Sequence, residues 1–407
     1  MIKGVGRTIA ALGTSQTLAW ASSYYLPAML ATSMARSFGT SPAMVFAAFS
    51  AALVVSAVLG PRAGRAIDRW GGKPVLATSN LVFAFGLGML GLANSLAAFF
   101  AAWIVIGVGM GGGLYEAAFA SIVRLFGTES RGAITGITLI AGFASTVGWP
   151  LSAFLEARYG WRGACLVWAA LHLLVGLPLN LALPSAPKSE HPAPRGADGA
   201  AAGAVVDERR AGLIAVALSF VFAVTWFVST AMAAHLPRLL QLTGASLAAA
   251  VTAGALVGPA QVGARLLEYG FLRRLHPLFS ARLACVLHPI GAATLAISGA
   301  VAAPAFGVLH GAGNGILTIA KGTLPLALFG PEGYGHRQGV LMVPARIAQA
   351  FAPLIFGACL DQFGARALWI SAMLSLSAFA VLLVLPRADE ASSPAAANTL
   401  ESSTQRP

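Results

Sequence analysis

The chain has 407 residues, of which 57% are hydrophobic and only 10% are charged. A soluble domain carries about 25% charged residues, so the composition excludes a soluble globular protein and predicts an integral membrane protein. The net charge of +12 does not indicate nucleic-acid binding, because the cations lie in connections between apolar runs.

Twelve apolar runs reach the roughly 20 residues needed to cross a bilayer. They cover residues 9–34, 42–61, 74–94, 97–123, 133–155, 163–184, 212–236, 246–266, 279–299, 302–327, 339–360 and 367–386. The connections on the side of the amino terminus hold 19 cations, and those on the other side hold 5. The positive-inside rule therefore predicts a multi-pass protein of the inner (plasma) membrane with both termini in the cytoplasm.

The chain divides into two similar halves. Residues 185–211 are polar and proline-rich, which predicts a flexible cytoplasmic linker between bundles at 1–184 and 212–387, and residues 388–407 predict a disordered cytoplasmic tail. Leu26-Pro27 recurs as Leu236-Pro237, and Gly60-Pro61 recurs as Gly258-Pro259. These repeats predict two parallel six-helix units, the second with a weakened copy of the basic loop described next.

A short basic connection joins the second and third runs. Gly64 and Asp68 are four residues apart, so they share one face if the preceding helix continues through them. Gly64 would let another backbone approach closely, and Asp68 would place a carboxylate at that contact. A carboxylate placed near a helix N-terminus at that contact would be favoured by about 0.3–1 kcal/mol.

This connection resembles the signature loop of the major facilitator superfamily. The loop has the pattern glycine, three residues, acid, base, any residue, glycine, any residue, base, and the matching positions are Gly64, Asp68, Arg69, Gly71 and Lys73. The resemblance implies an all-α integral membrane protein with 12 transmembrane helices in two pseudo-symmetric six-helix bundles. It also implies that these five residues form a gating loop; an ordinary basic membrane loop is the alternative.

Three ionisable residues stand out within the apolar runs, namely Glu116, Lys321 and Arg346. Such residues cost about 2.5–3.5 kcal/mol each on insertion scales and need a reason to be there. The resemblance implies that Glu116 and Lys321 face one central cavity, where they either form a structural salt bridge or separately bind a proton and an anion. Arg346 is expected nearer the inner surface, where its side chain could reach water.

Polar and aromatic residues in spans 1, 7 and 10 are further candidates for contact with a substrate or proton. They are Gln16, Trp20, Tyr24, Trp226, His310 and Asn314. Amphipathic aromatics suit a transport cavity, and they equally suit the belts at membrane interfaces. The glycine run at 107–113 beside Glu116 favours close helix packing over a helix break.

The sequence therefore predicts a secondary transporter that works by alternating access. Proton-coupled efflux of a small toxic or organic compound is the first hypothesis, proton-coupled uptake of a small carboxylate is the alternative, and a membrane-embedded sensor is the non-transport alternative. Two departures from family antiporter motifs, at Trp103 and Trp149, weaken the first. We expect a monomer in the lipid bilayer that binds a small-molecule substrate and a proton. No enzyme activity, cofactor, metal or nucleic-acid partner is predicted, because the sequence shows no cluster of catalytic or metal-binding residues.

Overall fold

The computed structural model describes residues 2–185 and 201–385, and all regular elements in that part of the chain are helical. The α-helices are α1 (Ile2–Ser22), α2 (Leu26–Ser37), α3 (Pro42–Trp70), α4 (Gly72–Leu92), α5 (Leu96–Gly113), α6 (Tyr115–Phe126), α7 (Arg131–Ala141), α8 (Ala144–Leu171), α9 (Leu177–Leu181), α10 (Ala201–Leu242), α11 (Leu247–Gly270), α12 (Pro277–Ser298), α13 (Ala303–Phe329), α14 (Tyr334–Phe363) and α15 (Ala367–Val384). The predicted tail at 388–407 and residues 186–200 of the predicted linker lie outside the described residues.

Each of the twelve predicted spans corresponds to helix in the structure. Among residues 2–185 and 201–385, six helical stretches are long and apolar enough to cross a membrane, and some hold several crossings: the 86-residue stretch Leu96–Leu181 contains predicted spans 4 and 5 and most of span 6. A reversal inside α8 separates spans 5 and 6 at Gly160, whose φ of 70° favours glycine. The linker prediction needs one correction, because α10 begins at Ala201 and residues 201–211 are helical.

Some crossings are built from two helices rather than one. Span 1 is interrupted at Ser23–Tyr25, before the Leu26-Pro27 pair that opens α2. Span 4 is interrupted at Leu114, and span 5 is interrupted at Gly142 and Phe143. Such discontinuous helices release backbone groups from the helical ladder in the middle of a membrane.

Each half of the chain has its own apolar core. The buried apolar residues between Leu12 and Leu183 form one cluster, and those between Leu218 and Leu385 form two. The first cluster also takes in Leu326, Tyr334 and Ala350, which marks where the second half packs against the first.

The closest contact between the halves runs along α3 and α14, which cross antiparallel. The hydroxyl of Ser50 donates to the carbonyl of Ala350 at 2.9 Å, and further along the helices the backbones of Gly60 and Gly339 touch. We call the end that carries the connection between α3 and α4 the loop end. Small residues at a helix interface allow this close approach of the two backbones.

Candidate functional site

The predicted gating loop contacts the other half through Asp68. Helix α3 continues to Trp70, so Gly64 and Asp68 do share one helical face. The two carboxylate oxygens of Asp68 accept hydrogen bonds from the backbone N–H groups of Gly335 (2.9 Å) and His336 (2.7 Å). These groups lie in the first turn of α14, where the helix dipole favours a negative charge.

Glycine is required at the contact that Asp68 makes. A Cβ added at Gly64 would collide with the backbone carbonyl of Gly335. A Cβ added at Gly335 would in turn lie 2.5 Å from the carbonyl oxygen of Gly64 and 2.7 Å from Oδ1 of Asp68. The sequence-based expectation of a close backbone approach beside a carboxylate therefore matches the geometry.

The remaining loop residues shape the connection rather than crossing to the second half. Gly71 has φ 82°, a conformation that favours glycine, and it ends α3 and begins α4. The Arg69 guanidinium lies 5.6 Å from the centre of the Trp70 ring, and Lys73 is half-buried. The Nε of Arg124 donates to the carbonyl of Asp68 at 3.3 Å, which ties the loop to α6.

A second contact at the loop end joins α7 to α11. Glu268 is 1% exposed, and its carboxylate forms a 2.8 Å ion pair with Arg131. Arg131 also donates to the carbonyls of Leu275 (2.6 Å) and Leu272 (3.1 Å). The sequence analysis described the second-half copy of the basic loop as weakened. In the structure this copy forms a buried ion pair of its own.

The centre of the molecule holds an ion pair between the halves. Nη2 of Arg346 lies 2.8 Å from Oε2 of Glu116, and the two side chains are 4% and 18% exposed. Arg346 also donates to Oε1 of Gln349 at 3.1 Å. The sequence analysis expected Arg346 nearer the inner surface; in the structure α14 begins at Tyr334, five residues before the predicted span 11, and the Arg346 side chain is buried against Glu116.

Lys321 does not pair with Glu116, which leaves the structural salt bridge of the sequence analysis unformed. Its ammonium lies 4.0 Å from the centre of the Trp226 ring, in a cation–π contact. Within the described residues no carboxylate forms an ion pair with Lys321, and its side chain is buried. When protonated, Lys321 places a positive charge next to the Glu116–Arg346 pair.

Trp20 and Trp226 form an aromatic wall around these charges. Their rings are nearly parallel, at 4°, with centres 6.1 Å apart, and Arg346 lies 5.7 Å and 5.5 Å from the two centres. Tyr24 packs edge-on against Trp20 at 5.1 Å, and its hydroxyl reaches Thr230 at 3.4 Å. The aromatic candidates named in spans 1 and 7 therefore lie at the junction of the two halves.

Several hydrogen-bond donors at this junction have no partner. In the part of the chain that the structure describes, the buried indole N–H groups of Trp20 and Trp226 and the amide Nε2 of Gln349 make no hydrogen bond. A buried unsatisfied donor costs about 1–3 kcal/mol. We call Glu116, Lys321, Arg346, Gln349 and the two tryptophans the central site.

A helix break lies beside the central site. Leu114 has φ −91° and ψ −170°, which ends α5 and starts α6 without a side-chain cap. Glu116 stands in the first turn of α6, so the positive end of this helix lies beside the Arg346 pair. Close packing alone was the expectation for the glycine run, and the structure corrects it: Gly107 packs against Ala52, but the run also ends in this break.

Gln16 holds the break in place. It is fully buried, and its Nε2 donates to the carbonyl of Gly113 at 2.7 Å, an oxygen that an unbroken helix would have used internally. Its Oε1 has no partner among the described residues. Gln16 therefore positions α6 in the structure.

His310 and Asn314 lie elsewhere. The Nδ1 of His310 lies 3.0 Å from that of His288, and Asn314 accepts from Ser229 at 3.0 Å, so both residues face the interior of the second bundle. The sequence analysis named them as candidates for contact with a substrate or proton but could not show which way they face. It also missed Gln349, which only its three-residue spacing from Arg346 could have indicated.

The sequence profile of the Major Facilitator Superfamily matches residues 12–307, which is more than half of the chain. The chain belongs to the Major Facilitator Superfamily. It is therefore a multi-pass membrane transporter rather than an enzyme, as the sequence predicted.

Relatives within the superfamily are distant or partial. NiaP of Bacillus subtilis (strain 168), named as a niacin/nicotinamide transporter, is 35% identical over 131 residues, which is 31% of this chain and 32% of its own length. Human monocarboxylate transporter 11 is 27% identical over 357 residues, covering 83% of this chain and 74% of the relative. The chain thus spans only about a third of NiaP but most of the human relative.

A solved structure of a superfamily member has the same fold. The human organic anion transporter MFSD10 (TETRAN) is 19% identical, covers 93% of this chain and 98% of its own, and gives a TM-score of 0.69. This likeness supports the all-α membrane-protein fold described above.

Proposed function

We propose that this protein transports a small organic monocarboxylate together with a proton, by exposing the central site to each side of the membrane in turn. The observation that carries the proposal is the set of unpaired donors at the central site. The indole N–H groups of Trp20 and Trp226 and the amide of Gln349 lack acceptors, and the cations Arg346 and Lys321 lie beside them. A carboxylate accepts hydrogen bonds only, so it complements such a set.

The charge of the central site also favours an anion. Two cations and one carboxylate, Arg346, Lys321 and Glu116, give a formal charge of +1 when all three are ionised. A bound monocarboxylate lowers the charge of the site by one, so that with Glu116 protonated the loaded site carries +1 rather than +2, whereas a cationic compound would add to the positive charge. We therefore favour the carboxylate alternative over efflux of a toxic cation.

Glu116 supplies the link to the proton. Its carboxylate forms a 2.8 Å ion pair with the Arg346 guanidinium, so it would compete with a substrate carboxylate for that group. Protonation of Glu116 would release Arg346, and substrate binding would then restore a charge-assisted hydrogen bond. Proton and substrate binding thus favour each other, and the two gradients together set the direction of net transport.

The two contacts at the loop end act as latches in this cycle. Asp68 accepts hydrogen bonds from the first turn of α14, and Glu268 forms an ion pair with Arg131. Both contacts join the halves at the loop end. We infer that the loop end faces the cytoplasm, as the distribution of cations predicts, and that this conformation is closed on that side. The carrier would work as a monomer in the plasma membrane.

Relatives support the substrate class. The human relative that aligns over 83% of the chain is named a monocarboxylate transporter, and MFSD10 is named an organic anion transporter. The flat indole surfaces of Trp20 and Trp226 suit the apolar part of such a substrate, because aromatic rings bury large apolar area.

The test is transport by the purified protein in proteoliposomes. A panel of labelled solutes would include lactate, benzoate, a neutral sugar and a quaternary ammonium compound, each measured with and without an inward proton gradient. We expect accumulation of a monocarboxylate that the gradient stimulates, and its loss in Arg346→Gln. Arg238→Gln is the matched control, because Arg238 pairs with Asp361 on the exposed surface. Transport of the cation alone, or carboxylate uptake indifferent to pH, would refute the proposal.

A further inference from the structure

A polar cluster lies inside the second bundle, apart from the central site. Nδ1 of His288 on α12 lies 3.0 Å from Nδ1 of His310 on α13, and Nε2 of His288 lies 3.0 Å from the hydroxyl of Ser371 on α15. Both imidazoles are 5% exposed, and the ring of Phe306 stacks on His310 with 6.0 Å between centres. The proposed transport mechanism does not use these groups.

Hydrogen bonds fix where the protons of this cluster lie. The Ser371 hydroxyl donates to the carbonyl of Leu368 at 2.8 Å, so it can only accept from Nε2–H of His288. Nδ1 of a neutral His288 is then an acceptor, and His310 must donate to it through Nδ1–H. In neutral His310 the remaining nitrogen, Nε2, therefore carries a lone pair.

His310 also lines a small cavity. The cavity has a volume of about 20 Å³, and the polar side chains that line it besides His310 include those of Thr225, Ser229, His288, Asn314 and Ser375. This volume suits one water molecule, which needs two to four polar partners. In the described part of the chain, Nε2 of His310 has no hydrogen-bond partner, so it is an acceptor available to such a water.

We propose that the His288–His310 pair and its cavity form a proton-binding site in the second bundle. A hydronium in the cavity gives up one O–H bond, a new N–H bond forms at Nε2 of His310, and neutral water remains. The Nδ1–H of His310 continues to donate to His288. This site is distinct from Glu116 and gives the protein a second place to carry a proton.

The surroundings determine how such a proton is held. The titratable groups that face His310 are His288 and the thiol of Cys285 on α12, while α10 and α15 present only neutral hydroxyls to the cavity. No carboxylate lines the cavity. The charged group further along α13 is Lys321, about 16 Å away along the helix axis at 1.5 Å per residue. If the proposed function holds, a carboxylate on Lys321 reduces its repulsion of the proton.

His172 in the first bundle provides a matched control. Its Nδ1 lies 2.8 Å from Oδ1 of Asn80, and its Nε2 lies 2.7 Å from the hydroxyl of Ser22. Both ring nitrogens thus have protein partners, whereas His310 has a partner on one nitrogen only. A buried histidine without a cavity should keep a single protonation state where His310 changes.

The direct test is ¹⁵N NMR of the full-length protein, labelled at histidine and reconstituted in lipid nanodiscs, from about pH 8 to well below the ordinary histidine pKa of about 6.5. His310→Gln and His172→Gln assign the resonances. We expect the His310 signals to move from one protonated and one unprotonated nitrogen to two protonated nitrogens as the pH falls, while those of His172 stay fixed. His310 signals that do not move, or that move in step with those of His172, would overturn the proposal.

A transport measurement adds a second arm. In proteoliposomes that carry out substrate transport, His310→Gln should move one proton fewer per substrate than the wild type or His172→Gln, while substrate exchange without a gradient continues. An unchanged proton ratio would overturn the site. A wild-type protein that transports no carboxylate would refute the proposed function alone, because the NMR titration needs no substrate.

Discussion

The latch formed by Asp68 can be tested by removing one charge. Asp68→Asn keeps one carbonyl oxygen for the N–H of Gly335 or His336 but turns an NH₂ group toward the other N–H. A hydrogen bond to a charged group contributes about 1.5–3 kcal/mol, and the helix dipole adds about 0.3–1 kcal/mol. Because Asp68 is half-buried, we take the low end and expect a loss of about 2 kcal/mol. This shifts the equilibrium between the latched and open loop end about 30-fold toward the open form.

Distances between spin labels would measure this shift. Labels at Arg65 and Glu332, both exposed at the loop end, report the separation of the halves after the three cysteines are replaced. We expect Asp68→Asn to add a longer distance that the parent lacks or populates weakly. Arg62→Gln is the control, because the Arg62 side chain bonds only within its own helix, to the carbonyl of Val58. Distance distributions that are the same for Asp68→Asn and the parent would refute the latch.

The remaining predictions concern the second latch and the central site. Glu268→Gln removes the negative charge that pairs with Arg131, so the distance between the same two labels should increase, as expected for Asp68→Asn. An unchanged distance would rule out a second latch. Glu116→Gln frees Arg346 permanently, so exchange of carboxylate should persist while stimulation by a proton gradient is lost, and retained stimulation would place the coupling elsewhere. Trp226→Phe keeps the ring under Lys321 but removes the indole N–H, so KM should rise about tenfold, since a hydrogen bond to a charged group contributes at least about 1.5 kcal/mol. An unchanged KM would show that this N–H does not contact the substrate.

The latch could be predicted from sequence because its geometry is local. Gly64 and Asp68 stand one helical turn apart, and a four-residue spacing determines a shared face without knowledge of the rest of the fold. The partner could be described only as a helix N-terminus, since nothing in the sequence identified the start of α14. The residues were thus predicted, and their partner came from the structure.

The central site could be predicted only in part. Glu116, Lys321 and Arg346 were identified because buried charges are costly wherever they lie. Their pairing depends on depth, and the sequence placed the start of span 11 five residues late, at 339 rather than at Tyr334. His310 and Asn314 lie on a helix that is apolar or small on most sides, so periodicity could not show that they face the bundle interior.

The break at Leu114 has a consequence for the empty carrier. The first turn of α6 has no side-chain cap, and Leu114 before it is fully buried. A substrate carboxylate held by Arg346 would serve as the missing cap, so the bound substrate would complete the N-terminus of α6. An unloaded carrier would leave this turn uncapped each time it changed conformation. It should therefore reorient more slowly than a loaded one, which would make exchange of one substrate for another faster than net transport.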